Sequence, residues 1–455
     1  MRSLLLTLFA LLNMSSFAAV HNVMDYGAIA DGRTKDTVAV QAAIDAATKD
    51  GGGFVLIPAG KTVVVGTIYL KDYVTLHVEN GATLLGSPDI GDYAEDTHKN
   101  MYKNEPHMDR CLIFARGAKS FAITGKGVID GNGHPKNFTN KTGRPMLIRF
   151  MECRDITVRN ITIQNPAAWA SAWLYCDEIV VEGIRIHSRV NHNGDGLDFD
   201  GCTNVRVSNS SFDTSDDSIC LQASRKDRPC KKIVITNCTF ESKWAGMRIG
   251  LLSIGDFENV TVSNCTFTNI QDSGLKIQMN EGGSMRNMVF SNLSMKNVPR
   301  PIFMTLCQQR ACDDAPEEMY PMGEIRDVSF NNIVADNREL DKNSAFFLTG
   351  MPDGMIKNVS ISQVHFAVSG GGTKADAERE IKEYTLETLE GWWPEFYRVG
   401  TLPAYGLYAR HMDGLSIDNF HVETSSTDER PPFGFDNVAI TSLTNVFANG
   451  KPIKN

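Results

Sequence analysis

The sequence predicts an all-β chain folded as a right-handed single-stranded parallel β-helix. Three observations predict it: a short motif that recurs, alternation of apolar and polar residues within each copy, and Asn at a fixed place. The motif appears as DITVRNITIQN from Asp155, NVRVSNSSFDT from Asn204 and KIVITNCTFES from Lys232. It returns from Asn259, Asn287, Asp327 and Asn358, and the starts Asn204, Lys232, Asn259 and Asn287 step by 28, 27 and 28 residues. Alternation over four or five residues marks a strand with one buried face. A fixed Asn suits the left-handed conformation of a tight turn, and stacked amides can hydrogen-bond from coil to coil. A unit of this size holds two or three short strands and cannot bury its own apolar face, so the copies must stack. No Leu-x-x-Leu-x-Leu pattern recurs, and propeller blades need units of roughly 40 residues.

Taken in order, residues 1–18 read as an export signal: Arg2, the apolar run Leu4 to Leu12, then the small residues Ser16 and Ala18. Residues 19–455 then form a single β-helix domain, secreted or periplasmic. Thr37 to Thr48 has helical spacing and ends before Gly51-Gly52-Gly53, a short helix that caps the first coil against exposed strand edges. Lys374 to Glu390 is charged and helix-prone, followed by Trp392, Trp393, Phe396 and Tyr397. It interrupts the repeat, so a helical insertion is expected near residues 374–397, its aromatics packing on the coils or walling a sugar site. The ten cysteines permit disulfides in an exported chain. Cys307 and Cys312 are close enough to close a small loop, whereas Cys238 and Cys265 share a repeat position and suit a stacked core. No Cys/His cluster suggests a metal, and no metal or other cofactor is expected. With a net charge of −9, nothing argues for nucleic acid or an anionic membrane as partner. The oligomeric state is not legible.

The densest polar cluster is NHNGDGLDFDGC, from Asn191 to Cys202, followed by DTSDDSICLQ from Asp213. Asp195 precedes Asp216 by 21 residues and Asp217 by 22, close to one coil. Adjacent parallel strands lie ~4.8 Å apart, so the three carboxylates can share one patch. Crowding of like charge raises at least one pKa and sets a protonated acid beside ionised bases, as glycoside hydrolysis requires. Neighbours on a regular strand face opposite ways, so Asp216 and Asp217 can act together only where the backbone turns. Turn-capping aspartates are the competing interpretation.

These motifs resemble the polygalacturonase family, glycoside hydrolase family 28, within the pectin-lyase-like β-helices. The likeness runs from DYGAIADGRTKDT near Asp25 to the repeats beyond Asn358, and its most specific parts are NGDGLDFD and SDDSI. It implies that Asp216 is the general acid, and that Asp195 and Asp217 position and deprotonate the attacking water with inversion at the anomeric carbon. Asn193, in the NGD motif, is an expected substrate contact; His192 beside it can hydrogen-bond a sugar or Asp195, or stand as a solvated turn histidine. The chain departs from the family where a Gly-His-Gly is expected: it reads KWAGMRIG, with Ala245 in the histidine's place and Arg248 nearby. The family's Arg-Ile-Lys becomes Lys276-Ile277-Gln278. Lys276 can act as a point charge, and Arg248 can supply a bidentate fork from a neighbouring coil. Arg248, Lys276 and Gln278 are therefore the expected holders of a uronate carboxylate. A structural ion pair is the other role open to Arg248. Trp169, Trp173, Arg300 and Arg310 are weaker candidates for the same cleft.

The expected function is inverting hydrolysis of pectic or other uronic-acid-containing poly- or oligosaccharides. A plain polygalacturonase, an exo-acting galacturonidase and a rhamnogalacturonan-type hydrolase all fit, and the insertion after Gly372 favours exo attack. Two other classes compete. A polysaccharide lyase needs calcium and a basic catalyst, and a non-catalytic glycan-binding solenoid loses no chemistry when Asp216 is replaced.

Overall fold

In the computed structural model, which describes residues 19–312 and 321–453, the recurring Asn positions set the coil. Asn204, Asn259, Asn287 and Asn358 have φ of 55°, 58°, 56° and 50°. Asp155, Lys232 and Asp327 take the same left-handed conformation at the equivalent place. A second column, Asn264, Asn292 and Asn332, turns the next corner with φ between 53° and 57°. Its amides form a ladder: Asn292 Nδ2 donates to Asn264 Oδ1 at 2.9 Å, and Asn332 Nδ2 to Asn292 Oδ1 at 2.9 Å. The export-signal residues 1–18 lie outside the described residues.

Between these corners the strands stack in register to form a right-handed parallel β-helix. One coil contains Leu197–Asp200, Thr203–Ser208 and Ser211–Thr214; the next contains Ile219–Ala223, Cys230–Thr236 and Thr239–Ser242. Leu197 lies beside Ile219, Val205 beside Ile233 and Phe212 beside Phe240, all parallel. Like side chains therefore stack along the axis: the rings of Phe212, Phe240 and Phe267 follow at centroid spacings of 5.2 and 4.8 Å. Cys238 and Cys265 are buried without a bridge in the same core. The Cys307 thiol donates to Asn280 Oδ1 at 3.0 Å, and the small loop to Cys312 is not closed by a disulfide.

The helix Thr37–Lys49 lays Ala39, Val40, Ala43, Ile44 and Ala47 on the first coil, as an i, i+3, i+4 stripe should. The helical insertion expected near residues 374–397 is present. It contains three short helices, Lys374–Ala377, Leu386–Leu389 and Phe396–Val399. Thr373 and Thr385 each open a new helix with a capping box. Glu390 and Gly391, at φ 51° and 83°, stop the second, and Pro394 precedes the third. Strong local caps divide the charged, helix-prone run into short helices.

The Asn ladder makes a stability prediction. Asn292→Ala places a Cβ-bearing residue without a compensating amide in a left-handed turn and removes two exposed hydrogen bonds. We expect a loss of about 1–2 kcal/mol in chemical denaturation. Asn292→Gly, which tolerates that φ, should lose clearly less; equal losses would contradict the turn argument.

Candidate active site

One side of the solenoid carries an unusual signature. The strands Leu197–Asp200, Ile219–Ala223, Ala245–Ser253 and Ser273–Met279 are buried at every residue, although a bare solenoid wall would expose alternate side chains. Leu197, Phe199, Ile219, Leu221, Met247, Ile249, Leu275 and Ile277 face the core. By alternation, Asp198, Cys220, Arg248 and Lys276 face outward, and register places them side by side on successive coils. Two segments cover this polar column: the loop containing Tyr102 and Glu105, and the insertion containing Trp392 to Tyr397. They leave between them a cleft of about 580 Å³.

The three candidate aspartates lie at the corner preceding that column. Asp195 sits in the loop between Arg185–Ser188 and Leu197–Asp200, and Asp216 and Asp217 in the turn between Ser211–Thr214 and Ile219–Ala223. The turn removes the alternation difficulty. Thr214 Oγ1 and Ser242 Oγ both donate to the Asp216 carbonyl at 2.6 Å, fixing the bend from two coils. Gly196 N donates to the Asp217 carbonyl at 3.0 Å, tying the two loops together. Asp195 and Asp216 line the cleft, while Asp217 is fully enclosed. Oxygens of Asp195 and Asp217 and the Cys220 sulfur lie within 4.8 Å of one another, close enough for one water to touch both carboxyls.

Charge is concentrated here. Burial, then Asp217, pushes the Asp216 carboxyl up to about 8. Burial, then Asp216, pushes Asp195 well above the usual carboxylate range. Asp217 is paired with Arg248, whose Nη1 lies 3.0 Å from its Oδ2, and accepts from Ala245 N at 3.1 Å. The position where the family's histidine is expected thus contributes its backbone N–H. Arg248 Nη2 reaches Glu395 Oε1 of the insertion at 3.2 Å. Lys276 Nζ pairs with Glu395 Oε2, and with Asp272 Oδ2 at 2.8 Å. Protons are therefore retained on the Asp195–Asp216 pair while the negative charge of Asp217 is held by Arg248. A protonated carboxyl beside an ion-paired one is the division that hydrolysis of a glycosidic bond needs.

The other expected residues divide. Asn193 and His192 line the cleft; Asn193 accepts from Arg144 Nη2 at 2.7 Å and donates to Glu105 Oε1 at 3.0 Å. Lys276 and Gln278 do not reach the cleft: both are fully buried, and Gln278 Nε2 donates to the Pro394 carbonyl at 2.5 Å. Trp169 lines the cleft, but Trp173 is a core residue between Phe150 and Phe199. Arg300 is buried under the Phe396 ring, 4.2 Å from its centroid. Of the insertion's aromatics, Trp392, Trp393 and Tyr397 line the cleft. Sequence reasoning missed Glu105, Arg144, Asp272 and Glu395. Asp272 alone carried a signal, four residues before Lys276 on the adjoining turn.

A parallel β-helix with an aspartate cluster in a covered cleft suits a carbohydrate-cleaving enzyme. The sequence model of the glycosyl hydrolases family 28 matches residues 55–385, and the chain belongs to that family. A "Probable polygalacturonase" of Vitis vinifera is 27% identical over 75% of this chain and 73% of its own length. An "Exo-poly-alpha-D-galacturonosidase" of Dickeya chrysanthemi is 29% identical over 62% of this chain, which spans 56% of that protein. Among solved structures, the exopolygalacturonase of Thermotoga maritima aligns with a TM-score of 0.69 at 20% identity, covering 90% of this chain and 92% of that one. The Yersinia enterocolitica family 28 exopolygalacturonase gives 0.71 at 22%, covering 96% and 79%. At these identities the structures attest the fold.

The buried ion network predicts a large effect. Arg248→Met leaves Asp217 and Glu395 without their shared cation, and we expect a loss of about 3–5 kcal/mol in chemical denaturation. A variant as stable as the parent would show that the network is dispensable.

Proposed function

We propose that the protein is an exported inverting glycoside hydrolase that removes sugars from the ends of pectic glycans. The observation that carries this reading is that Asp195 and Asp216, from two adjacent coils, line one cleft, with Asp217 enclosed directly behind Asp195. Asp216 donates its proton to the glycosidic oxygen as the bond breaks. Asp195 and Asp217 hold a water on the opposite side of the sugar ring, and Asp217, paired with Arg248, takes its proton as it attacks the anomeric carbon. Attack opposite the leaving group inverts that centre.

End-directed action is supported by the insertion. It folds back from the C-terminal coils over Arg300, Lys276 and Arg248, and Trp393 meets Tyr102 of the opposite loop at 6.5 Å between ring centroids. The cleft is thereby walled on one side, which suits a chain end better than a continuous chain. Asn193, His192 and Arg248 are the proposed substrate-side residues of this pocket. The apolar run and small residues within 1–18 support export to the periplasm or beyond. No helix among the described residues is long and apolar enough to cross a membrane.

Activity should depend on a protonated Asp216. Its raised pKa keeps the proton at neutral pH, so kcat/KM should decline as pH rises through about 8. Asp216→Asn should lower kcat on pectic oligosaccharides by about 10²–10⁴-fold and leave the circular-dichroism spectrum unchanged. Undiminished turnover by that variant would refute the hydrolase reading. Ultraviolet-absorbing unsaturated products would show elimination in its place.

A further inference from the structure

We propose that Glu395 takes the place of a substrate carboxylate, so that the sugar released at the active site is a neutral one. This inference deepens the hydrolase reading and rests on it. Arg248 and Lys276 are side by side on successive coils, where the sequence leads one to expect a clamp for a uronate. Their charges are already matched. Arg248 holds Asp217 with one terminal nitrogen and Glu395 with the other. Lys276 holds Glu395 and Asp272. Two cations thus face three carboxylates, with no charge left for a fourth.

Access agrees with the charge count. Lys276 has no exposed surface, and the Trp244 ring covers its ammonium at 4.8 Å. Gln278, aligned with the family's lysine, is closed off by Pro394 of the same insertion. Among the described residues lining the cleft, Arg248 is the one Lys or Arg, against Glu105, Asp195, Asp216 and Glu395. Burial and the Arg144 guanidinium lower the pKa of His107, and burial with Arg144 does the same for His192, so neither supplies a dependable positive charge. A uronate entering this pocket finds Arg248 and Lys276 already paired with Asp217, Glu395 and Asp272, so its carboxylate is desolvated without a free cation. A neutral hexose or 6-deoxyhexose meets aromatic faces from Trp244, Trp392 and Tyr397 and hydrogen-bonding groups. Uronates can still occupy the remainder of the glycan, outside this pocket.

The test uses the full protein and two sets of pectic oligosaccharides of equal length, ending at the non-reducing terminus in a neutral sugar or in a uronate. The parent enzyme should cleave the neutral-ended set with kcat/KM at least about 100-fold higher. Glu395→Ala, which removes the carboxylate that Arg248 and Lys276 share, should reduce that ratio by about 10-fold or more. A parent preference for the uronate-ended set, or an unchanged ratio in the variant, would overturn the inference while leaving the hydrolase intact. If Glu395→Ala does not fold, the monosaccharide released by the parent from mixed pectic polysaccharide decides: neutral sugar supports the inference and uronic acid overturns it. A parent that cleaves neither set, indistinguishable from Asp216→Asn, defeats the hydrolase reading and this inference with it.

Discussion

The structure depends on parallel strands stacking without slippage from coil to coil. With a strand spacing of ~4.8 Å, any two residues one coil apart become neighbours, whatever their separation in sequence. That constraint builds the phenylalanine stack inside the barrel and the Asn ladders at its corners. On the outer wall it builds the column Asp198, Cys220, Arg248 and Lys276. A slip of one residue turns every side chain to the opposite face, burying the polar column and exposing the core. The left-handed Asn corners resist such a slip because few other residues tolerate that backbone conformation cheaply.

Register brings like charges together, and the rest of the site manages the consequence. Buried carboxyls are costly unless protonated, hydrogen-bonded or paired, and all three solutions occur here. Asp195 and Asp216 retain protons, Asp217 takes Arg248, and Glu395 arrives from a distant segment to complete the pairing of Arg248 and Lys276. The insertion therefore has an electrostatic role as well as a steric one. It seals the basic pair and supplies Trp392, Trp393 and Tyr397 to the cleft.

Much of this was legible in the amino-acid sequence, because the repeat is written in backbone terms. The positions read as turn starts, from Asp155 to Asn358, occupy the left-handed region. The helix expected over Thr37 to Thr48 spans Thr37–Lys49. The spacing of Asp195 from Asp216 and Asp217 matches one coil, so their proximity follows from the period. What escaped lies outside the repeat. Glu105 and Glu395 belong to segments with no coil periodicity, and no spacing rule connects residue 395 to residue 248. The departure of Lys276 and Gln278 from the cleft has the same origin: their register is readable, but the insertion that covers them is not. Within that insertion, local capping at Thr373 and Thr385 divides the helical segment into short pieces.

The central claim is that Asp195 and Asp217 hold a water across the sugar from the acid Asp216. The configuration of the first-formed product tests it most directly, followed by proton NMR during hydrolysis before mutarotation. The account predicts a product whose anomeric configuration is opposite to that of the bond cleaved. A product of retained configuration would require a carboxylate to bond to the sugar itself, and would contradict this assignment of the three aspartates.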